Sequence, residues 1–263
     1  MIPLLLRLWI GRKLFDLLES NVVRVGWHRV IKGPCQLPEL AAMQYVAQHT
    51  TIPVPTIHST YTYQGALYIE MEYIEGSNLA VAWMEGDLSA DDKKTIIAEL
   101  KDYVGQLRRL VPPVQGVVAS ASHSDILDCR IGPRLLGPLS HDEFHAFLRG
   151  KVPLENCSKV FGEQVATVHR QHYRTCFSHA DLIPCNIMVR GGHIAAIVDW
   201  AFAGWYPEYW EFTKAHYDRF PDAHWYTALY DAIPQYDAEL AAERALWKQY
   251  DEPGIPRVFT SRQ

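Results

Sequence analysis

The chain has 263 residues, 48% of them hydrophobic and 21% charged, with a formal net charge of -5. That supplies enough apolar material for one large domain or two lobes around a cleft, and it excludes a disordered chain and a broadly basic nucleic-acid binder. Cys35, Cys129, Cys157, Cys176 and Cys185 are odd in number and contain no C-x-x-C pair, which argues against a disulfide framework or a four-cysteine zinc site and for a reducing, cytoplasmic setting.

The segment Ile2 to Ile10 (IPLLLRLWI) is apolar, but Arg7 interrupts it and Arg12 and Lys13 follow. It is too short for a spanning helix and lacks a signal-peptide cleavage pattern, so no membrane insertion is expected. Apolar positions 4, 5, 8, 9, 15 and 17–18 predict instead a helix packing one face on the body, with a peripheral membrane contact as the alternative. Asn21 to Lys32 alternates β-branched and polar residues around Gly26 and Trp27 and predicts a hairpin. Leu37 to His49 has helical spacing, and the prolines of Thr51–Pro55 (TIPVP) keep that segment extended. A second hairpin follows, with arms 56–63 and 66–73 and a turn at Gln64–Gly65. From Asn78 to Leu110 the pattern is helical, so a lobe boundary is expected within 72–77. This divides the chain into 1–75 and 76–263. Residues 111–140, rich in Pro, Gly and Ser, read as an excursion over the surface. Ser140 with Glu143 is a capping box that opens a helix through Leu148. Val160 to His172 is a further helix, and two short strands, 187–189 and 194–198, form a hairpin.

The chemistry concentrates in residues 178–199. The stretch S-H-A-D-L-I-P-C-N (178–186) is a proline-bearing loop, and the hairpin behind it returns Asp199 to the side of Asn186. A carboxylate and an amide oxygen so placed suit a hard cation such as Mg2+ bridging to phosphates. Asp181 is then left to accept a proton from an attacking hydroxyl. His141 and His145 have the i, i+4 spacing of a zinc-binding helix, but Asp142 stands where such sites carry Glu. They therefore read as a solvated helix start.

The H-x-D-x-x-x-x-N loop (179–186), the strand ending I-V-D-W (197–200) and the A-G-W-Y-P-E-Y-W-E-F block (203–212) resemble the aminoglycoside phosphotransferase family, nearest in pattern to its fungal members. V-I-K (30–32), T-I-P-V-P (51–55) and M-E-Y-I-E-G (71–76) extend the resemblance over most of the chain. It implies an α+β, bilobal protein-kinase-like fold, with a small antiparallel-sheet N-lobe and a larger, mainly helical C-lobe. It implies ATP and Mg2+ as cofactors and transfer of the γ-phosphoryl group to a hydroxyl of a small-molecule acceptor, with no obligate protein partner. Carried over residue by residue, it makes Asp181 the catalytic base and Asn186 and Asp199 the metal ligands. Lys32 becomes the phosphate-binding lysine held by Glu39, and the backbone of Glu72, Tyr73 and Ile74 the adenine contact. His179 becomes a structural residue of the loop.

Three positions depart from the family pattern. No Gly-rich loop precedes Lys32, so the phosphate cover is expected to be abbreviated or built from the Gly26 turn. Ala180 stands where the family usually has Gly, and Ala201 where many relatives carry an acidic residue. A kinase-like nucleotide-binding or scaffold protein without transfer is therefore the alternative. Twelve of the 31 residues from Trp200 to Tyr230 are aromatic, and residues 206–252 hold ten Asp and Glu against four Lys and Arg. An acidic, aromatic surface of this kind suits an amine-bearing acceptor. Residues 1–34 have the opposite balance, six basic against two acidic.

Overall fold

The structure is a computed structural model that describes residues 3–15, 17–217 and 220–257. Helix α1 (Leu4–Leu14) leads into strands β1 (Leu17–Glu19), β2 (Val22–Gly26) and β3 (Arg29–Cys35), followed by α2 (Leu37–His49), β4 (Ile57–Tyr63) and β5 (Ala66–Glu72). These five strands form one antiparallel sheet in the order β1-β2-β3-β5-β4. Both predicted hairpins are present, and at the Gln64–Gly65 turn both residues have positive φ, as a two-residue hairpin turn requires.

The linker after β5 passes close over the second half of the chain at Gly76. Its φ is 136°, and a Cβ there would meet the Val189 carbonyl oxygen at 2.2 Å, so any other side chain would push the two parts apart. Strand β6 (Ser77–Asn78) follows, then α3 (Leu79–Met84) and α4 (Ala90–Arg109). The helical run expected over 78–110 is thus interrupted between residues 85 and 89, where Ser89 and Asp92 form a capping box that restarts it.

The segment 111–140 is not a surface excursion. It contains β7 (Val117–Ser120), β8 (Ile126–Asp128), β9 (Gly132–Leu136) and β10 (Leu139–Ser140). Val118, Ala119, Ser120, Ile126, Asp128, Arg130 and Ile131 are buried. Its Gly and Pro residues punctuate short strands: β8 pairs with β9 and β10 with β7, and β7 pairs on its other side with the distant β14. Helix α5 (His141–Leu148) begins with the predicted capping box. The helix expected over 160–172 is instead α6 (Leu154–Phe161) and α7 (Glu163–Val168), divided at Gly162, whose φ is 99°.

After β11 (Thr175–Ser178) come β12 (Ile187–Arg190), β13 (His193–Ile197) and β14 (Gly204–Pro207), then helices α8 (Trp210–Ala215), α9 (Ala223–Ala232) and α10 (Asp237–Gln249). Strand β14 lies between β7 and β11, and β12 between β13 and β6. Trp200, Trp205, Trp210 and Trp225 are among the largest fully buried side chains, so the aromatic block from 200 onward is mainly core.

His141 and His145 are buried, not solvated. The capped helix turns them inward: His141 Nε2 lies 3.1 Å from Thr175 Oγ1 and His145 Nε2 lies 2.9 Å from Tyr209 Oη. The His145 ring stacks on His169 at 4.3 Å. Burial pushes the His145 imidazole down to about 3. An unfolded chain protonates this ring near pH 6.5, so the stability it contributes is complete above pH 6.5 and is lost as pH falls from 6.5 toward 3. At pH 5 that loss is about 2 kcal/mol. The raised carboxyls of Asp181 and Glu211 act with the opposite sign over the same range. A comparison with His145→Gln isolates the ring: between pH 7.5 and 5 the urea midpoint of the variant should fall less than that of the parent, and an equal fall contradicts this account.

Candidate active site

Lys32 sits in the middle of β3, and its ammonium reaches two carboxylates at once. Nζ lies 2.6 Å from Glu39 Oε1 and 2.8 Å from Asp199 Oδ1. Glu39 is on the first turn of α2, which packs against the short turn Trp200–Phe202 behind Asp199. Burial alone pushes the Lys32 ammonium down. The two carboxylates outweigh it and hold the group above its ordinary value, so it stays charged.

The loop 179–186 faces this pair. Asn186 Nδ2 donates to the Asp181 carbonyl oxygen at 2.9 Å and to its Oδ2 at 2.8 Å. The Val198 N–H donates to the Asn186 carbonyl at 2.9 Å, and Ile197 N–H to Pro53 O at 2.8 Å. The TIPVP connector and the β12–β13 hairpin thereby fix Asn186 beside Asp199. Asn186 Oδ1 and Asp199 Oδ2 have no hydrogen-bond partner among the described residues. An amide oxygen and a carboxylate oxygen are donors of the kind Mg2+ takes beside phosphates.

His179 is buried and neutral, its imidazole pushed down to about 4 by burial. Its Nδ1 accepts from the Asp181 N–H at 3.2 Å, so Nε2 carries the proton it donates to Val198 O at 3.0 Å. The ring ties the loop to the strand bearing Asp199. Burial pushes the Asp181 carboxyl up to about 6, while the Lys214 ammonium pulls it down and Asp199 pushes it further up.

Ala180 and Asp199 are both left-handed, with φ of 60° and 61°. For an L-residue that conformation costs roughly 1–2 kcal/mol. A Gly at 180 would remove the strain. It would also forfeit a buried methyl, about 0.8 kcal/mol, and add unfolded-chain freedom of about 0.5–1 kcal/mol. These contributions cancel to within about 1 kcal/mol, which explains why Ala is tolerated there.

The cavity between sheet and loop has a volume of about 380 Å3 and is walled by Val22, Val30, Met71 and Met188, with Lys32, Glu39 and Asp199 at its polar end. Glu72, Tyr73 and Ile74 line its opposite side. The backbone of these three residues, the adenine contact that the family resemblance implies, is only partly open. Glu72 N–H donates to Thr56 O at 2.9 Å and Tyr73 N–H to His28 O at 3.0 Å, which leaves that of Ile74 without a backbone partner among the described residues.

The Gly26 turn is also misplaced as a phosphate cover. It lies at the Tyr73 end, as the His28 bond shows. The turn that stands over Lys32 is Ser20–Asn21, between β1 and β2: Val22 is opposite Lys32 and the Asn21 carbonyl accepts from Gly33 N–H at 2.9 Å.

Sequence reading missed the support beneath the loop. Glu211, on α8, is buried, and its carboxylate accepts from the backbone N–H of His179 at 2.5 Å and of Ala180 at 3.2 Å. Burial pushes this carboxyl up to about 7, against those two donors. Lys214, one turn on, donates to Asp128 Oδ1 at 2.8 Å and lies 2.7 Å from Cys129 Sγ. A signal was available, because one acidic residue inside the apolar run Y-W-E-F must be paired when buried.

The acidic surplus of 206–252 does not form a free surface. Glu208 bonds Arg108 and Arg174, Glu243 faces Arg130, Asp222 accepts from Trp83, Asp237 from Tyr230 and Asp251 from Arg257. Glu239 accepts from Tyr173 and Glu252 lies 3.6 Å from Arg134. The expected acidic face for an amine is therefore largely consumed within the fold.

A lysine held by a helix carboxylate meets a strand-end Asp at the polar end of the cavity, and Cys185 of the neighbouring loop, whose Asp181 and Asn186 bond each other, also lines it. Residues 36–252 match the sequence profile of the phosphotransferase enzyme family (APH), and the chain belongs to that family. No curated protein sequence matches it. Among solved structures, the chain is similar to the gentamicin–APH(2'')-IIa complex, with TM-score 0.55 and 12% identity over 93% of this chain and 86% of that one. The GDP complex of aminoglycoside 2'-phosphotransferase-IIIa gives TM-score 0.59 and 12% identity over 90% and 81%. A thermostable mutant of APH(4)-Ia in ternary complex with AMP-PNP and hygromycin B gives 0.56 and 14% over 90% and 85%.

Proposed function

We propose that the protein transfers the γ-phosphoryl group of ATP, with Mg2+, to a hydroxyl of a small molecule. The observation that carries this reading is Lys32, charged and buried, bridging Glu39 and Asp199 at the polar end of the cavity. In this reading residues 1–75 form the nucleotide-side lobe and 76–263 the lobe bearing the catalytic loop. The apolar walls and the free Ile74 N–H suit a purine, and Lys32 neutralises the α- and β-phosphates. Asn186 and Asp199 would hold Mg2+, which supplies charge neutralisation at the transferring phosphates. Asp181 accepts the acceptor's hydroxyl proton, with its carboxyl positioned by the Asn186 bond. The nucleotides in related structures, ADP, GDP and AMP-PNP, support a nucleotide in this cavity. Five free cysteines support a reducing cytoplasmic location.

Saturating ATP with Mg2+ should raise the melting temperature, because a ligand that binds only the folded state stabilises it by about 2.7 kcal/mol at a hundredfold excess over Kd. Asp199→Ala should remove most of that rise. A wild-type melt unchanged by millimolar ATP and Mg2+ would sink the nucleotide reading. The short, Gly-free Ser20–Asn21 turn favours the second reading, a nucleotide binder without transfer, and a melt that rises with ATP while no phosphate is transferred would select it.

A further inference from the structure

Helix α1 is fastened to the sheet with some specificity. The Arg7 guanidinium bonds both Glu70 oxygens, at 2.7 and 2.5 Å, and the Tyr61 hydroxyl at 2.7 Å. Gly11 is pressed against β2, where a Cβ would meet the Arg24 carbonyl at 2.3 Å. The face turned inward is Leu4, Arg7, Leu8 and Gly11, which differs from the expected 4, 5, 8 and 9 because Arg7 has a buried partner.

The opposite face is apolar as well, and no described residue covers it. Leu5 is 49% exposed, Leu6 45% and Trp9 61%. Leu5, Trp9 and Lys13 follow at successive i+4 positions, with Arg12 beside them and both cations exposed. Trp27, 75% exposed, extends the patch past the end of the helix through its edge contact with Phe15 at 6.2 Å. A helix with apolar residues all round normally buries both faces. Here one is buried and the other presents two tryptophans with flanking cations, the composition of a segment that lies in a bilayer interface. No helix among the described residues is long and apolar enough to cross a membrane.

From this we infer that the outer face of α1, with Trp27, docks the protein on the surface of an anionic lipid bilayer. Charge complementarity selects that occupant. Arg12 and Lys13 are exposed and make no ion pair among the described residues, whereas Arg7 and Arg29 are taken up by Glu70 and Lys32 by Glu39 and Asp199. Two copies meeting through this face would bring like charges together, and an uncharged apolar partner would leave Arg12 and Lys13 unmatched. A bilayer containing acidic headgroups accepts both the rings and the cations. The helix then lies flat in the interface plane.

Co-sedimentation tests this with the full chain and two vesicle compositions, phosphatidylcholine alone and phosphatidylcholine with phosphatidylserine. Binding is expected to the serine-containing vesicles at low salt and to weaken as salt rises. Arg12→Gln with Lys13→Gln should weaken it about 25-fold, at about fivefold per cation. Leu5→Ser with Trp9→Ser should abolish it while leaving the melting temperature unchanged, because both side chains are exposed. No binding to the serine-containing vesicles, or equal binding to the two compositions, overturns the inference. So does a concentration-dependent dimer that disappears with Leu5→Ser and Trp9→Ser, since the face is then covered by a second copy.

Discussion

Asp181→Asn should lower the rate of phosphate transfer by about a thousandfold while leaving the ATP-induced rise in melting temperature intact. The substitution keeps the shape of the side chain and an oxygen that still accepts from Asn186 Nδ2, now 2.8 Å from Oδ2. What it removes is the only function assigned to the carboxylate, acceptance of the hydroxyl proton, and general-base catalysis is worth roughly 10²–10⁴ in rate. Lys32, Glu39 and Asp199 are untouched, so the charges that meet the nucleotide remain. Single-turnover transfer and a thermal melt on the same preparation separate the two effects. Loss of the ATP response together with transfer would show that Asp181 holds the site together and is not its base.

Glu211→Gln should have the second-largest effect. Glu211 touches no reacting atom; it is a positioning residue that receives the N–H groups of His179 and Ala180. A glutamine has one acceptor oxygen and turns its NH2 toward the other donor. One buried N–H is left unsatisfied, at a cost of about 2 kcal/mol. The larger consequence is displacement of the loop, because a shift of about 1 Å at a reacting group costs on the order of a hundredfold in rate. The expected pattern is a lower kcat with KM for ATP nearly unchanged, since the nucleotide-facing residues lie on other elements. An unchanged kcat would show that the loop holds its shape without this carboxylate.

The contrast between Asp181 and Glu211 shows what could be read from the chain alone. Local signals served well wherever a few neighbouring residues decide the outcome. The Gln64–Gly65 turn, the Ser140–Glu143 capping box and the loop from His179 to Asn186 all appear where the sequence places them. The pairing of Lys32 with Glu39 is what the family resemblance implies, and the two groups lie 2.6 Å apart. Glu211, Lys214 and Asp128 stayed hidden because their meaning is tertiary: Asp128 reaches Lys214 from a segment whose Pro and Gly content suggested surface loop. Sheet order decided another case. Periodicity gives strands but not their ends in space, so the Gly26 turn is the one the sequence offers over Lys32, whereas the register of β2 on β3 puts the Ser20–Asn21 turn there. The acidic excess of residues 206–252 misled for a related reason, since a count of charges does not show which of them face arginines inside the fold.

The assignment of a phosphotransferase site is tested most directly by following the γ-phosphate of labelled ATP in the presence of Mg2+, with amines, amino alcohols, sugars and aminoglycosides as acceptors. The account predicts Mg2+-dependent transfer to an acceptor hydroxyl by the wild-type protein and a rate about a thousandfold lower for Asp181→Asn. Equal rates in the two proteins would contradict it.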